Sequence, residues 1–240
     1  MSYKELILNV ISDYRSSGRY YFSLKDINND LEKLDQKINS ETLKKNIARF
    51  KNENIIYSAG RGWYSFLQKK FVLNKEPVRN IINLMKREFP LLDFNVWSTE
   101  QLAPYFHHIP TRFFTFIYAD KVHLQTIYEK LLIKGKKVYL DPTLKEAEKI
   151  FNVEIETIIL RSKTTEASIK ENYAQIETIL IEFFREMKKI AILDEWEYEE
   201  IFKNIVLRQR INIAALRRYN SRLEDFAVCL LSSVIDKYCQ

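Results

Sequence analysis

The stretch ETLKKNIARFKNENIIYSAGRGWYSF, residues 41–66, joins a helical pattern to a hairpin pattern. Leu43, Ile47 and Phe50 recur at helical spacing, which predicts a helix over 41–53 with one buried stripe. The apolar runs IIY and WYSF follow it, separated by the turn SAGRG. Two of the chain's four glycines lie in that turn, so we expect a tight β-hairpin directly after the helix.

The residues before this stretch predict two more helices and a short strand. Apolar residues at helical spacing indicate a helix over 3–16 that stops near Gly18, and YYF at 20–22 is typical of a strand. We expect Ser23 to cap a second helix and Ser40 to cap the third. Helix, strand, helix, helix and hairpin follow one another in the order of a winged helix-turn-helix.

The outer face of the third predicted helix carries cations and small side chains. Lys45, Ala48, Arg49 and Asn52 lie opposite the apolar stripe, and Thr42 lies at the edge of this face near the helix N-terminus. Lysine and arginine can donate hydrogen bonds to guanine or to phosphates in the major groove, and a helix N-terminus can hold a phosphate. The face therefore suits double-stranded DNA, although a solvated surface helix has the same pattern.

The turn of the predicted hairpin carries Arg61 between two glycines. In a winged helix this position lies at the tip of the wing, from which an arginine can reach a phosphate or the neighbouring minor groove. The alternative is a plain hairpin with a solvated arginine.

The net charge of +6 is concentrated at the N-terminal end of the chain. Residues 1–75 contain 14 basic and 8 acidic side chains (14 − 8 = +6), which leaves residues 76–240 neutral. Clustered cations attract nucleic acid over a distance, so the N-terminal part is the expected site of phosphate contact. The charge-rich segment KKFVLNKEPVRN contains a proline and marks the expected domain boundary.

Residues 76–240 first alternate between helical and strand patterns and then become helical from about Tyr173. The predicted strands cover residues 93–98, 111–119, 136–140 and 153–160, and the predicted helices cover 77–88, 99–106, 122–133 and 144–151. The fold class is therefore α/β (α+β). An N-terminal winged helix-turn-helix at 1–75 precedes an α/β domain at 76–240 with C-terminal helices.

Sequence motifs for catalysis are missing. The chain has no phosphate-binding loop, dinucleotide fingerprint or nucleophile elbow, and adjacent histidines such as His107 and His108 would diverge on a helix. A nuclease would place metal at Glu154 and Glu156, but Lys163 lies too far along the strand to complete that pattern. We therefore expect no enzymatic activity, no metal and no cofactor, with a metal-dependent nuclease as the least favoured alternative.

The chain also lacks the patterns of secreted and membrane proteins. Its two cysteines, Cys229 and Cys239, lie close together near the C-terminus and are expected to be reduced thiols. No secretory leader is visible, and the longest nearly apolar stretch, at 226–235, is too short to span a bilayer. We expect a cytoplasmic protein without membrane contact.

Four segments of the chain together resemble the AbiEi family of antitoxins. They are the hairpin segment GRGWYS, the segment FNVWSTEQL at the start of the α/β part, and the helical segments IFKNIV and INIAALRRY. AbiEi antitoxins belong to type IV toxin–antitoxin systems, which act in bacterial abortive infection. The likeness is one of layout, and the hairpin is its most specific part.

The resemblance implies a protein with two roles. The N-terminal domain would bind inverted repeats in its own operon's promoter and repress it, and the C-terminal domain would oppose a nucleotidyltransferase toxin encoded alongside. The positions implied to read DNA are Thr42, Lys44, Lys45, Arg49 and Arg61.

Two questions stay open from the sequence. The first is the role of the arginines between 208 and 222, which could meet phosphate, the toxin or the acidic run 194–200. The second is whether the protein is instead a transcription regulator whose α/β domain senses a small ligand.

Overall fold

The computed structural model describes residues 2–108, 110, 112–150, 157–163, 169–221 and 227–239. The chain forms two compact units of mixed helix and strand, which confirms the predicted fold class. Unit 1 comprises Met1–Phe71, Lys203–Arg218 and Cys229–Gln240, and unit 2 comprises Val72–Phe202 and Tyr219–Val228.

The N-terminal part of unit 1 has the predicted element order. Its elements are helix α1 (Tyr3–Ser16), strand β1 (Tyr21–Ser23), helices α2 (Leu24–Lys33) and α3 (Ser40–Asn52), and strands β2 (Tyr57–Ser58) and β3 (Trp63–Ser65). The three strands form an antiparallel sheet in the order β1-β3-β2. This arrangement is that of a winged helix.

The three helices of this part share one apolar core. Ile7 of α1, Ile27 of α2 and Phe50 of α3 are fully buried in it, because each helix presents an apolar stripe to the others. The predicted cap of α2 is confirmed, since Ser23 Oγ accepts a hydrogen bond from the Asp26 N–H at 3.1 Å. The predicted cap of α3 is wrong by one residue.

Unit 2 contains an α/β layered fold. Its elements are α4 (Glu76–Glu88), β4 (Phe94–Ser98), a 3-10 helix (Thr99–Tyr105), β5 (Phe114–Ala119), a second 3-10 helix (Lys121–His123), α5 (Leu124–Ile133), β6 (Val138–Leu140), α6 (Leu144–Ile150), β7 (Thr157–Ser162), β8 (Ile169–Lys170), β9 (Tyr173–Ala174) and α7 (Ile176–Ile190). The strands form one sheet in the order β6-β7-β5-β4-β9-β8. Strands β6, β7 and β5 run parallel, and β4 is antiparallel to β5.

Helices cover both faces of this sheet. On one face, Val96 and Ile117 pack in a core with Ile82 of α4 and Ile127 of α5. On the other face, Trp97 stacks on Phe116 with the ring centroids 4.4 Å apart, and Phe183 of α7 meets Trp97 edge-on at 5.9 Å. Helix α7 is therefore buried on nearly every side. The hairpin of β8 and β9 was not predicted, because each strand has only two residues and carries no readable alternation.

After α7 the described residues form the helices α8 (Glu195–Val206), α9 (Ile213–Asn220) and α10 (Ala227–Cys239). Residues 203–218 and 229–240 belong to unit 1. The sequence pattern had placed all residues after 75 in the second domain. Periodicity shows that a segment is an amphipathic helix but not which core receives its apolar face, so this grouping is a tertiary result. Across the part of the chain that the structure describes, no helix has the length and apolarity needed to cross a bilayer.

Candidate nucleic-acid interface

Helix α3 has one buried and one exposed face. Leu43 and Ile47 are buried, whereas Lys44, Lys45 and Arg49 are exposed. The three cations therefore lie on the solvent side of α3. Because the buried stripe fixes the rotation of the helix, the direction of this charged face follows directly from the core.

The first turn of α3 departs from the predicted phosphate site. Asn39, not Ser40, is the N-cap, and its Oδ1 accepts a hydrogen bond from the Glu41 N–H at 2.8 Å. Glu41 is exposed in this turn and adds a negative charge beside the helix N-terminus, which disfavours a phosphate there. Thr42 is half-buried, and its carbonyl oxygen accepts a hydrogen bond from Asn46 Nδ2 at 2.9 Å.

Arg49 has an intramolecular partner. Its Nε donates to Glu53 Oε1 at 2.7 Å, and Lys4 Nζ lies 3.4 Å from the same oxygen. The hydrogen bond from Arg49, together with the one from Lys4, holds the pKa of the Glu53 carboxyl below its usual value. The pair lies on the surface, where water and salt screen it, so a DNA phosphate can compete with Glu53 for Arg49.

The hairpin forms a wing with Arg61 at its tip. Strands β2 and β3 pair antiparallel, and the Ala59 N–H donates to the Trp63 carbonyl at 2.9 Å to close the turn. Gly60 and Gly62 have φ angles of 111° and 75°, a region that favours glycine. Arg61 lies between them and is exposed.

Unit 1 is more basic than the sequence division indicated. Counted by sequence, its three segments contain 19 basic and 9 acidic side chains (19 − 9 = +10), whereas unit 2 contains 19 and 23 (19 − 23 = −4). Residues 203–218 contribute five cations and no acid to unit 1. The charge excess and the winged helix therefore belong to the same unit.

Two arginines of the 208–222 group contact the wing. The guanidinium of Arg210 lies 4.9 Å from the centre of the Tyr57 ring, and Arg210 Nη1 donates to the Leu67 carbonyl at 2.7 Å. Arg217 lies 4.8 Å from the Trp63 ring centre. The sequence showed both arginines as part of a cationic group. It could not show which aromatic rings they contact, because Tyr57 and Trp63 are about 150 residues away along the chain. Arg222 lies outside the described residues.

A buried ionic cluster in unit 2 also escaped sequence reasoning. Arg161 on β7 is 3% exposed, and its Nη2 and Nε contact Glu186 of α7 at 2.6 Å and 3.0 Å. The Tyr118 hydroxyl donates to Glu186 Oε1 at 3.2 Å, and burial with the charges of Glu182 and Glu186 raises the pKa of Tyr118. In the sequence, the only indication of this cluster was that Arg161 and Glu186 each lie near apolar residues. Because these groups satisfy one another, the cluster ties α7 to the sheet.

The candidates for metal chemistry have other partners or lie outside the described residues. Glu154 and Glu156 lie outside the described residues, and Lys163 forms an ion pair with Asp93. His107 and His108 do not diverge on a helix as expected; they follow the 3-10 helix with His107 Nδ1 3.0 Å from His108 Nε2. Within the described ranges, no group of three or more histidine, cysteine or acidic side chains could hold a metal ion.

Among the described residues of unit 2, surface cavities of about the size that a small ligand needs occur at two or more places. One of about 430 Å³ is bordered by Phe89, Leu92, Asp120 and other residues, and another of about 440 Å³ adjoins the edge strand β6.

Comparison with protein families gives one match. The model described as "Family of unknown function (DUF6577)" matches residues 42–227, from the first turn of α3 to the start of α10. The match thus includes the charged face of α3, the wing and all of the sheet in unit 2. No curated protein matches the sequence.

Proposed function

The chain belongs to the DUF6577 family, and we propose that it is a DNA-binding repressor that also acts as the antitoxin of a nucleotidyltransferase toxin. In this proposal α3 enters the major groove of an operator with inverted repeats, and the wing contacts the adjacent backbone or minor groove. The observation that carries it is the exposed face of Lys44, Lys45 and Arg49 on α3, followed at once by a wing with Arg61 at its tip.

Electrostatics supports DNA as the partner. Unit 1 has a net charge of +10, so it attracts a polyanion before any specific contact forms. On α3, Lys45 and Arg49 have donors that suit guanine edges or phosphates, and Ala48 between them leaves room for close approach. Thr42 would contribute a hydroxyl at the edge of the interface. The operator is chromosomal or plasmid DNA, so the proposed site of action is the cytoplasm.

Direct DNA-binding measurements test this function. The probe is a fluorescent duplex from the promoter region immediately upstream of the chain's own gene, with a scrambled duplex of equal length for comparison. We expect the promoter duplex to bind more tightly, and Lys45→Ala and Arg49→Ala each to weaken binding by about 5- to 100-fold if they reach base edges. If they reach phosphates, each should also lower the salt slope by about one.

Lys121→Ala is the matched control, because it removes an exposed cation from unit 2. Equal affinity for the two duplexes, or unchanged binding by both α3 variants, would contradict the repressor proposal.

The antitoxin role rests on the resemblance in layout to AbiEi antitoxins, in which a winged helix precedes an α/β domain. The proposal predicts a nucleotidyltransferase gene next to the chain's own gene, and co-expression with that gene tests the antitoxin role. Growth should be restored by the full chain and by the DNA-binding variant Lys45→Ala, since neutralisation is assigned to unit 2. Continued toxicity with wild-type chain at equal expression would remove the antitoxin role.

A second candidate function is a ligand-responsive repressor, which the cavity beside Asp120 favours. Its walls are mostly apolar, and the carboxylate of Asp120 borders it, which suits a small molecule with an amine. A screen of small amines for release of the promoter duplex tests this alternative. An effect that Asp120→Asn removes would support it, and a failure of every amine to change DNA affinity would count against it.

A further inference from the structure

The middle segment of unit 1, within residues 203–218, contacts the winged helix through its backbone. The Arg210 N–H donates to the Lys69 carbonyl at 2.7 Å, and the Phe71 N–H donates to the Arg210 carbonyl at 3.0 Å. These bonds make a parallel bridge between Lys70 and Arg210. The segment 207–217, which we name the brace, is therefore attached to the chain just after the hairpin.

A buried tyrosine of β1 attaches the brace at a second point. Tyr21 is 0% exposed, and its hydroxyl donates to the Gln209 carbonyl at 3.0 Å. The same oxygen accepts a hydrogen bond from the Ile211 N–H at 3.2 Å. One side chain of β1 thus satisfies two backbone groups of the brace, the carbonyl of Gln209 and the N–H of Ile211.

Gly60 in the wing turn allows the brace to approach closely. A Cβ at this position would lie 2.1 Å from Asn212 Oδ1 and 2.6 Å from Ala214 Cβ, distances that no real side chain tolerates. Asn212 Oδ1 also accepts a hydrogen bond from the Ala215 N–H at 3.0 Å, so the start of α9 sits against the turn. Gly62, on the other side of Arg61, has nothing within 4 Å of its Cβ position.

Each strand of the wing also has an arginine of the brace over an aromatic ring. Arg210 covers Tyr57 of β2, and Arg217 covers Trp63 of β3. Arg217 Nη2 is itself held by Asp236 Oδ1 at 2.8 Å. These two cations are used within unit 1 as packing contacts for the wing.

From these contacts we infer that the brace positions the wing, so that Arg61 contributes to DNA binding only while the brace is seated. The inference rests on the proposed DNA-binding function. A hairpin with strands of two and three residues is marginal by itself, so an unsupported wing would lose much of the contact energy to ordering. Arg217 and Gly60 are positioning residues in this account, and Arg61 is the residue that touches DNA.

A double-mutant cycle on the full chain tests the inference with the promoter duplex as probe. Arg61→Ala and Arg217→Met should each weaken binding by a similar factor, about 3- to 10-fold for a single phosphate or groove contact. Because both changes remove the same contact, the double variant should bind no more weakly than Arg61→Ala alone. Arg217→Lys, which keeps a cation above Trp63, should restore most of the affinity.

Lys45→Ala is the matched comparison within the same unit, because α3 is held by its own core. The loss of affinity in Lys45→Ala should multiply with that in Arg217→Met, whereas the losses in Arg61→Ala and Arg217→Met should not multiply. General unfolding in Arg217→Met would not distinguish the two pairs in this way. Independent, multiplying effects of Arg61→Ala and Arg217→Met, or full affinity in Arg217→Met, would overturn the inference while leaving the repressor proposal intact. If the wild-type chain has no preference for the promoter duplex, the repressor proposal falls and the inference falls with it.

A second pair of variants covers the case in which Arg217→Met does not fold. Gly60→Ala forces α9 away from the turn, whereas Gly62→Ala also places a side chain at a positive φ but meets no neighbour within 4 Å. Removing Arg61 should have no further effect in Gly60→Ala but should still weaken binding in Gly62→Ala. The same residual effect of Arg61→Ala in both backgrounds would overturn the role of the brace.

Discussion

Gly60 and Gly62 flank the same arginine but have different reasons to be glycine. Both have positive φ angles, so any other residue would strain the backbone there. Only Gly60 also faces a packed neighbour, the start of α9. Gly62 is therefore needed for its backbone conformation alone. Gly60 is needed both for its conformation and for the close approach of α9.

Glu53 forms an ion pair with Arg49 and would therefore compete with the proposed contact between Arg49 and DNA. Replacing it by glutamine removes the ion pair and one negative charge near the interface, so Glu53→Gln should bind the promoter duplex about two- to fivefold more tightly at low salt. Fluorescence anisotropy titrations measure the change. Glu32→Gln is the control, because it removes an exposed carboxylate of unit 1 that accepts a hydrogen bond from neutral Asn28. An equal gain in both variants, or a gain that persists when Arg49 is alanine, would contradict the explanation.

At the scale of elements, ionic contacts connect helices that lie on the same face of the sheet. Glu88 at the end of α4 contacts Lys130 and Lys134 of the α5 region, each at 3.1 Å. Hydrogen bonds from Lys134 and Lys130 lower the pKa of Glu88 from 4.5 to about 2. The carboxylate therefore stabilises the folded state in its ionised form.

The pH dependence of this contact has a definite sign. A lowered pKa means that the stabilisation is fully present above pH 4.5 and is lost as the pH falls towards 2. Glu88→Gln should therefore reduce the free energy of unfolding at pH 7, and the difference from wild type should shrink between pH 4.5 and 2. Urea unfolding at several pH values measures it. Glu129→Gln is the control on α5, where the carboxylate accepts a hydrogen bond from neutral Gln125, and it should have little effect at any pH. A pH-independent difference for Glu88→Gln would refute this account.

The elements differ in how far the sequence predicted them. Helices α1, α3 and α4 lie within a residue or two of the predicted ranges, because their apolar stripes have helical periodicity and clear ends. Strand β9 lies where a helix was predicted and β8 was not predicted at all, since pairs of strands this short are specified by their neighbours in the sheet. The partners of Arg161 and Glu186 were equally hidden, because a charge within an apolar run does not indicate its counterion.

At the scale of the whole molecule, charge separates between the two units. Unit 1 carries +10 and unit 2 carries −4, although the chain as a whole is only mildly basic. Long-range attraction depends on the local excess, so DNA should associate with unit 1 faster than the net charge of +6 indicates. Under the proposed function, this distribution makes unit 1 the part of the chain that DNA would encounter first.

Charge reversal distinguishes the two units in association kinetics. Arg208→Glu and Lys121→Glu each change the net charge by two and replace an exposed cation, in unit 1 and unit 2 respectively. Stopped-flow measurements at low salt should show a fall in the association rate of about threefold or more for Arg208→Glu and a smaller fall for Lys121→Glu. The two rates should converge at high salt because screening removes the steering. Equal falls at low salt would mean that the separation of charge does not direct DNA to unit 1.

The sequence by itself determined the local elements of the winged helix and the chemistry of its outer face. Apolar periodicity fixed which side of α3 is buried, and two glycines around Arg61 fixed the wing turn. The tertiary structure alone decided that residues 203–218 join the winged helix, that Arg210 and Arg217 pack on the wing, and that +10 gathers in one unit. The physical reason is range: periodicity and turn chemistry act over a few neighbouring residues, whereas the choice of partner depends on which apolar surfaces fit together across the whole chain.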